Sequence, residues 1–376
     1  MKNRNTLLFS FFLGALIGCS GDGPSGADDD GLTEGVGTGS ATTASGDTTA
    51  AGGGMTGMGG ASGTVGSTVG SGGAGGDAGT GGGPVDAAPD PELAGPYTTA
   101  VIDESFTVSS TGSTVDVHAV YPTAGPDAGP YPVVVLGRGF TISARQYDSY
   151  LDHLASFGYV ALSVAYPTPL FGPNHVENAE ELAAGLDWAA GHPTLGPIAD
   201  EMNAGSTGHS LGGKLAVLAA TFDSRIAAVI ALDPVDGAMS CSPQNCPDVS
   251  ALMPISIPTG FIGETTDATG GFQSCAPAAE NFETFYAGTS SPSLSVEVLG
   301  ANHVSFVDDL QTCGLACSFC NPATAMQEDV RRLSRAMMVA FFERHLRGDT
   351  RYDAFLDGAE AQSRYVNSGL AVILSK

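Results

Sequence analysis

Basic residues are scarce in this 376-residue chain: 14 lysines and arginines stand against 40 acids, for a formal net charge of −26. No basic cluster occurs anywhere along it. Both features argue against nucleic acid or an anionic membrane surface as a partner, since each is held by grouped cations. Aromatic residues are absent from Ser20 to Pro91, a stretch made almost wholly of Gly, Ser, Thr, Ala and Asp. Such a segment cannot bury enough apolar surface to offset the entropy of folding. It reads as a flexible tether with the reach of a random coil. Long apolar runs are missing too. The opening "MKNRNTLLFSFFLGALIGCS" carries Lys2 and Arg4, but its apolar stretch, Leu7 to Ile17, is too short for a stable membrane span.

What the opening does provide is an export signal. Its end, Leu16-Ile17-Gly18-Cys19, resembles the lipobox of bacterial lipoproteins. The resemblance implies that Cys19 is lipidated and becomes the mature N-terminus. Ser20 in place of Asp after the cysteine implies the outer rather than the inner membrane. A plain secretory signal is the alternative, with a secreted product. Either way the compartment is oxidising. Cys241, Cys246, Cys275, Cys313, Cys317 and Cys320 all lie in the last third of the chain, so two or three disulfides are expected, their pairing open. The closely spaced "CGLACSFC" does not supply the CxxC pairs of a four-thiolate site, and no metal is expected there. The organisation read from this is a signal peptide over 1–18, a tether over 19–94 and a folded domain over 95–376.

The folded part, about 280 residues, is read as one domain. "YPVVVLGRGF" (Tyr131 to Phe140) is an unbroken apolar run ended by glycines, as a strand buried on both faces requires. Strand-like and helix-like segments then alternate as far as the closing helix "QEDVRRLSRAMMVAFFERHL". Two earlier segments, "AVIDESFTV" and "TVDVHAVYP", alternate as a half-exposed antiparallel hairpin does. Right-handed βαβ units follow, hence an α/β fold with about eight strands in a mostly parallel sheet and helices on both faces. Sites in such sheets form at the carboxyl ends of the strands. No long insertion separates the predicted strands, so an open site without a large lid is expected.

"TGHSLGGK" lies at a predicted strand-to-helix junction, and its Gly208-x-Ser210-x-Gly212 is the only G-x-S-x-G match in the chain. The pattern is that of a nucleophile elbow, where the serine takes strained backbone angles and the glycines make room for it. A serine hydroxyl needs a base. Of the seven histidines, His303 in "LGANHVSFVDDL" follows the last predicted strand on a loop, where it can reach the top of the sheet. His118 sits in an early strand, His153 and His345 in helices, His175 and His192 near helix ends, and His209 points away from Ser210. For the orienting acid Asp233 is favoured, fixed between Leu232 and Pro234 at a strand end. Asp236, Glu264 and Asp267 are the alternatives. The backbone N–H groups of Leu211, at the start of the helix, and Phe140, in the "GRGF" turn, are candidate oxyanion donors.

Together "VVVLGRGFTISARQYDSYLDHLASFGYVAL", "GHSLGGK", "ALDPVDG" and "GANHVSFVDD" resemble the chlorophyllase and platelet-activating-factor acetylhydrolase branch of the α/β-hydrolases. The resemblance runs from about Tyr131 to Leu310. It implies Ser210 as nucleophile, His303 as base, Asp233 as acid, and Phe140 and Leu211 as amide donors. One position departs from that family: Arg138 precedes Gly139 where it has histidine. The side chain would either alter the acyl pocket or pair with one of the many carboxylates.

The expected activity is carboxylic-ester hydrolysis through an acyl-enzyme, with no cofactor and no metal. Phe140, Leu170, Phe171 and Phe261 are candidates for an apolar lining, which favours acyl or aryl esters, lipid and polyester included, over charged substrates. Contact with the membrane is expected only through the N-terminal lipid, and a monomer is the expected state. An amidase or peptidase, or a surface-binding lipoprotein on a hydrolase scaffold, are the alternatives.

Overall fold

The structure, a computed structural model, describes residues 87–237, 241–268 and 274–376. The signal segment, Cys19 and the tether as far as 86 lie outside the described residues.

Among the described residues nine strands form one sheet: β1 Thr98–Thr107, β2 Thr114–Ala124, β3 Tyr131–Gly137, β4 Val160–Ala165, β5 Ala199–His209, β6 Ile226–Leu232, β7 Thr259–Glu264, β8 Ser293–Val298 and β9 Ala371–Ser375. Their spatial order is β1-β2-β4-β3-β5-β6-β7-β8-β9. The six from β4 to β8 are parallel, while β1, β2 and β9 run antiparallel to their neighbours. The central run of β3 is buried at every residue. Alternate side chains serve two cores: Val134 and Leu136 enter one, Val133 and Val135 the other. Withdrawing each such side chain from water contributes roughly 1.5–3 kcal/mol.

Helices α1 (Asp148–Ser156) and α5 (Gln327–His345) cover the first core. The second is covered by α2 (His175–Gly191), α3 (Leu211–Ala220) and α4 (Phe282–Gly288). The chain passes from β3 to β4 on one side and returns to β5 on the other. In α/β sheets, sites form outside the carboxyl ends of the strands at such a reversal.

The fold is the expected α/β sheet with one strand more. The ninth, "AVILS", adds to β8 after the helix that was expected to close the chain. Helix α4 begins at Phe282, where Asn281 caps it by accepting the Glu283 N–H at 3.0 Å. Docked chain also starts upstream of Gly95. Asp90 pairs with Arg364 at 2.8 Å, Glu92 with Arg332 at 2.7 Å, and the Pro91 carbonyl accepts from His153 at 2.8 Å. Two long connections, 233–258 and 299–326, leave the carboxyl ends of β6 and β8, where no long insertion was anticipated. Among the described residues no helix is long and apolar enough to cross a membrane.

Candidate active site

Ser210 stands between β5 and α3 with φ 57° and ψ −121°. A side chain held in that region costs on the order of 1–3 kcal/mol, so the surroundings must enforce it. They do so through backbone contact. A Cβ on Gly208 would lie 2.4 Å from the Gly212 carbonyl, and one on Gly212 only 2.0 Å from the Gly137 oxygen. The start of α3 therefore rests directly on the ends of β3 and β5. The Ser210 N–H donates to Leu232 at 3.0 Å, and its carbonyl accepts from Lys214 at 3.1 Å and Val235 at 3.3 Å.

The Ser210 hydroxyl meets His303 Nε2 at 2.8 Å, and His303 Nδ1 meets Asp233 Oδ2 at 2.6 Å. An ionised carboxylate can only accept, so Nδ1 carries the proton and Nε2 is free to take one from the hydroxyl. Asp233 directly follows β6, has φ 41°, and donates its N–H to Ile262 at 2.6 Å. Its carboxylate is fully buried. Burial raises its pKa, and the imidazole beside it pulls the other way. His303 opens a short 3₁₀ turn after β8, braced by the Asn302–Ser305 capping box.

The three other acids considered have other partners than the His303 ring. Asp236 pairs with Lys214 at 3.0 Å and accepts the Val249 and Ser250 N–H groups at 2.9 and 2.8 Å. Asp267 touches His303 through the backbone, accepting its N–H at 3.0 Å, and also takes the N–H groups of Asn321 and Cys275 at 3.1 and 3.3 Å. Glu264 accepts from Thr266 at 2.5 Å and Asp267 at 2.8 Å. Burial, and next the Asp233 charge, push Glu264 up to about 9.

Neither the Phe140 nor the Leu211 N–H finds an acceptor among the described residues. A helix's first N–H has none within the helix. Phe140 sits in a tight turn whose neighbours are tied down. Gly139 N–H donates to the Tyr147 hydroxyl at 3.2 Å, and Thr141 N–H to Thr168 Oγ1 at 3.3 Å. Among the described residues Arg138 pairs with carbonyls and not with a carboxylate. It donates to Ile142 at 2.8 Å and Tyr166 at 2.5 Å, while Tyr166 returns a bond to the Arg138 carbonyl at 2.6 Å. Its work is to fasten the 138–142 turn to the loop after β4.

That loop carries Leu170 and Phe171, which are 61% and 77% exposed. Phe140 is half-buried against the second core. Phe261 is no lining residue: it is fully buried in β7 and packs on Phe285 with ring centres 5.7 Å apart.

All six late cysteines are in disulfides: Cys241–Cys246, Cys275–Cys320 and Cys313–Cys317. Asp267, Cys275 and Cys320 do approach one another closely, but a disulfide offers no thiolate to a metal. Sequence reading missed Tyr147 and the part taken by Asp267. Tyr147 falls in the apolar stripe leading into α1, where nothing separates its hydroxyl's use from ordinary packing.

A serine on a strained strand-to-helix turn, set in a sheet of this order, defines an α/β-hydrolase fold. The model of the chlorophyllase family matches residues 94–363, and the chain belongs to that family. Chlorophyllase-2 of Arabidopsis thaliana is 26% identical over 246 residues, covering 60% of this chain and 76% of the relative. A bis(hydroxyethyl) terephthalate hydrolase of Streptomyces coelicolor is 27% identical over 267 residues, covering 70% and 72%. Lipase 1 of a Moraxella species is 25% identical over 244 residues, covering 65% and 64%.

Proposed function

We propose that the protein hydrolyses carboxylic esters through an acyl-enzyme on Ser210. The observation that carries this reading is the unbroken chain Ser210–His303–Asp233 at 2.8 and 2.6 Å. Ser210 Oγ bonds to the ester carbonyl carbon as its proton passes to His303 Nε2, and Asp233 stabilises the imidazolium that forms. The negative oxygen lies between the Phe140 and Leu211 N–H groups, each such donor contributing on the order of 10²–10³ in rate. Collapse breaks the bond to the leaving alcohol, whose oxygen takes the proton from Nε2. Water then repeats the sequence in reverse and frees Ser210.

The apolar tip Leu170–Phe171 supports a substrate with an acyl or aryl part, and the strongly negative chain disfavours anionic ones. The relatives, a chlorophyllase, a bis(hydroxyethyl) terephthalate hydrolase and a lipase, support ester hydrolysis as the reaction and differ in substrate. Hydrolysis of p-nitrophenyl esters of graded acyl length tests the reading. Ser210→Ala should lower kcat by about 10³-fold or more, and full activity in that variant would overturn it. Cleavage of a matched amide as fast as the ester would make the protein an amidase instead.

The N-terminus supports export and a lipid anchor at Cys19, with the tether carrying the catalytic domain away from the membrane. Cys19→Ser should then move the protein from the membrane pellet to the soluble fraction.

A further inference from the structure

The parts of the proposed site sit on different elements, yet one buried imidazole adjoins Ser210, meets the His303 loop directly and reaches the 138–142 turn through a tyrosine. His209 is the last residue of β5, next to Ser210 in the chain, and both it and Tyr147 are fully buried. Its Nε2 lies 2.7 Å from the carbonyl oxygen of His303, and its Nδ1 lies 2.8 Å from the Tyr147 hydroxyl. That hydroxyl also receives the Gly139 N–H at 3.2 Å, one residue before Phe140.

The direction of every bond follows from donor and acceptor chemistry. A carbonyl only accepts, so Nε2 carries the proton. Nδ1 of the neutral ring then accepts from Tyr147 O–H, and the tyrosine oxygen is left free to accept from Gly139. We propose that Tyr147 and His209 form a positioning relay that keys the oxyanion turn to the loop bearing His303, with His209 held as the neutral Nε2–H tautomer. The inference rests on the hydrolase reading above.

Three further observations fit. A Cβ on Gly139 would lie 2.9 Å from Ile142 Cδ1, 3.1 Å from the Tyr147 hydroxyl and 3.2 Å from His209 Nδ1, so a side chain there would press on both groups of the relay. The His209 ring packs on the His303 ring with centres 4.7 Å apart and on Phe306 at 5.8 Å. Burial, and next the neighbouring His303, hold the His209 pKa well below the ordinary imidazole value. Its neutrality matters to catalysis, because a second cation against the His303 imidazolium would oppose its formation. A protonated His209 would also present Nδ1–H to Tyr147, forcing the hydroxyl to turn and strand one donor.

Neither residue touches substrate, so the relay acts through alignment. Tyr147→Phe leaves the Gly139 N–H and His209 Nδ1 unpaired. His209→Gln keeps an amide N–H for the His303 carbonyl and gives up the tyrosine. Measured on a p-nitrophenyl ester, each variant should lose about tenfold in kcat with KM nearly unchanged, the size of one good hydrogen bond. The double variant should lose clearly less than the product of the two, because both cut one chain.

Wild-type kcat in Tyr147→Phe, or losses that simply multiply, would overturn the relay. Should a variant fail to fold, ¹⁵N NMR of the histidine rings in the unaltered protein decides. His209 must appear as a neutral Nε2–H ring from pH 5 to 8, and a charged or Nδ1–H ring refutes the proposal. Ser210→Ala separates the two readings. If it stays active the hydrolase reading fails, whereas the relay alone fails if it is dead and Tyr147→Phe is unimpaired.

Discussion

Asp267 grips His303 by its backbone, accepting the N–H at 3.0 Å, and leaves the imidazole entirely to another acid. The ring belongs to Asp233 at 2.6 Å. Two carboxylates thus serve one histidine in different ways, one aligning the ring and the other seating the loop.

These parts separate in kinetics. Asp233→Asn removes the charge facing Nδ1 and favours the wrong tautomer, so kcat should fall about 10³–10⁴-fold with the fold intact. Asp267→Asn retains an acceptor oxygen for part of its bonds and should cost nearer tenfold in kcat, with a clear drop in Tm. Steady-state kinetics and a melting curve on both variants give the answer. The opposite ranking would make Asp267 the acid of the triad.

Glu264 makes stability depend on pH. Its folded value of about 9 lies above the ordinary 4.5, so between those limits the folded protein holds a proton that the unfolded chain releases. The stability that Glu264 contributes is full below about pH 4.5 and is lost as pH rises toward 9. Tm of the wild type should fall across that window, and Glu264→Gln, neutral throughout, should flatten the slope. Equal slopes would mean that Glu264 is ionised in the fold.

The disulfides should contribute unequally. Cys275–Cys320 closes a separation of 45 residues, Cys241–Cys246 one of 5. Loop-closure entropy gives about 4 kcal/mol for the first and about 2 kcal/mol for the second. Urea unfolding of the paired serine variants tests this ranking. Cys275→Ser/Cys320→Ser should also lower kcat, since the Cys275 and Asn321 N–H groups both bind Asp267.

Leu170 and Phe171 should show themselves in chain-length preference. Replacing both with serine should leave acetate ester hydrolysis unchanged and lower kcat/KM for a long acyl chain by about tenfold. A uniform loss across chain lengths would place the tip outside substrate recognition.

Much of this was legible in the sequence, and for local reasons. The β3 run, the glycines around Ser210, and the position of His303 after the last parallel strand are each written in a few consecutive residues. Asp233 could be preferred over Asp267 because Leu232 and Pro234 fix it at a strand end. What stayed hidden depends on residues far apart in the chain. The bond from Tyr147 to His209 spans 62 positions, and that from His209 to the His303 carbonyl spans 94. No periodicity encodes either. Arg138 was legible as unusual, but its carbonyl partners depend on how the loop after β4 folds back. Strand β9 has no such local mark, since its five residues follow the long helix α5 and short helical turns.

The contact of Gly137, Gly208 and Gly212 also bears on how such a protein can change. Beneath Ser210 these positions present only hydrogen atoms to one another, and any carbon added there meets backbone at 2.0–2.7 Å. Backbone cannot be repacked the way side chains can, so this floor offers selection or an engineer almost nothing to vary. Change is left to the surface around this seat, such as the exposed Leu170–Phe171 stretch after β4. The seat of the serine is held in place, and the loop surface beyond it is free to drift.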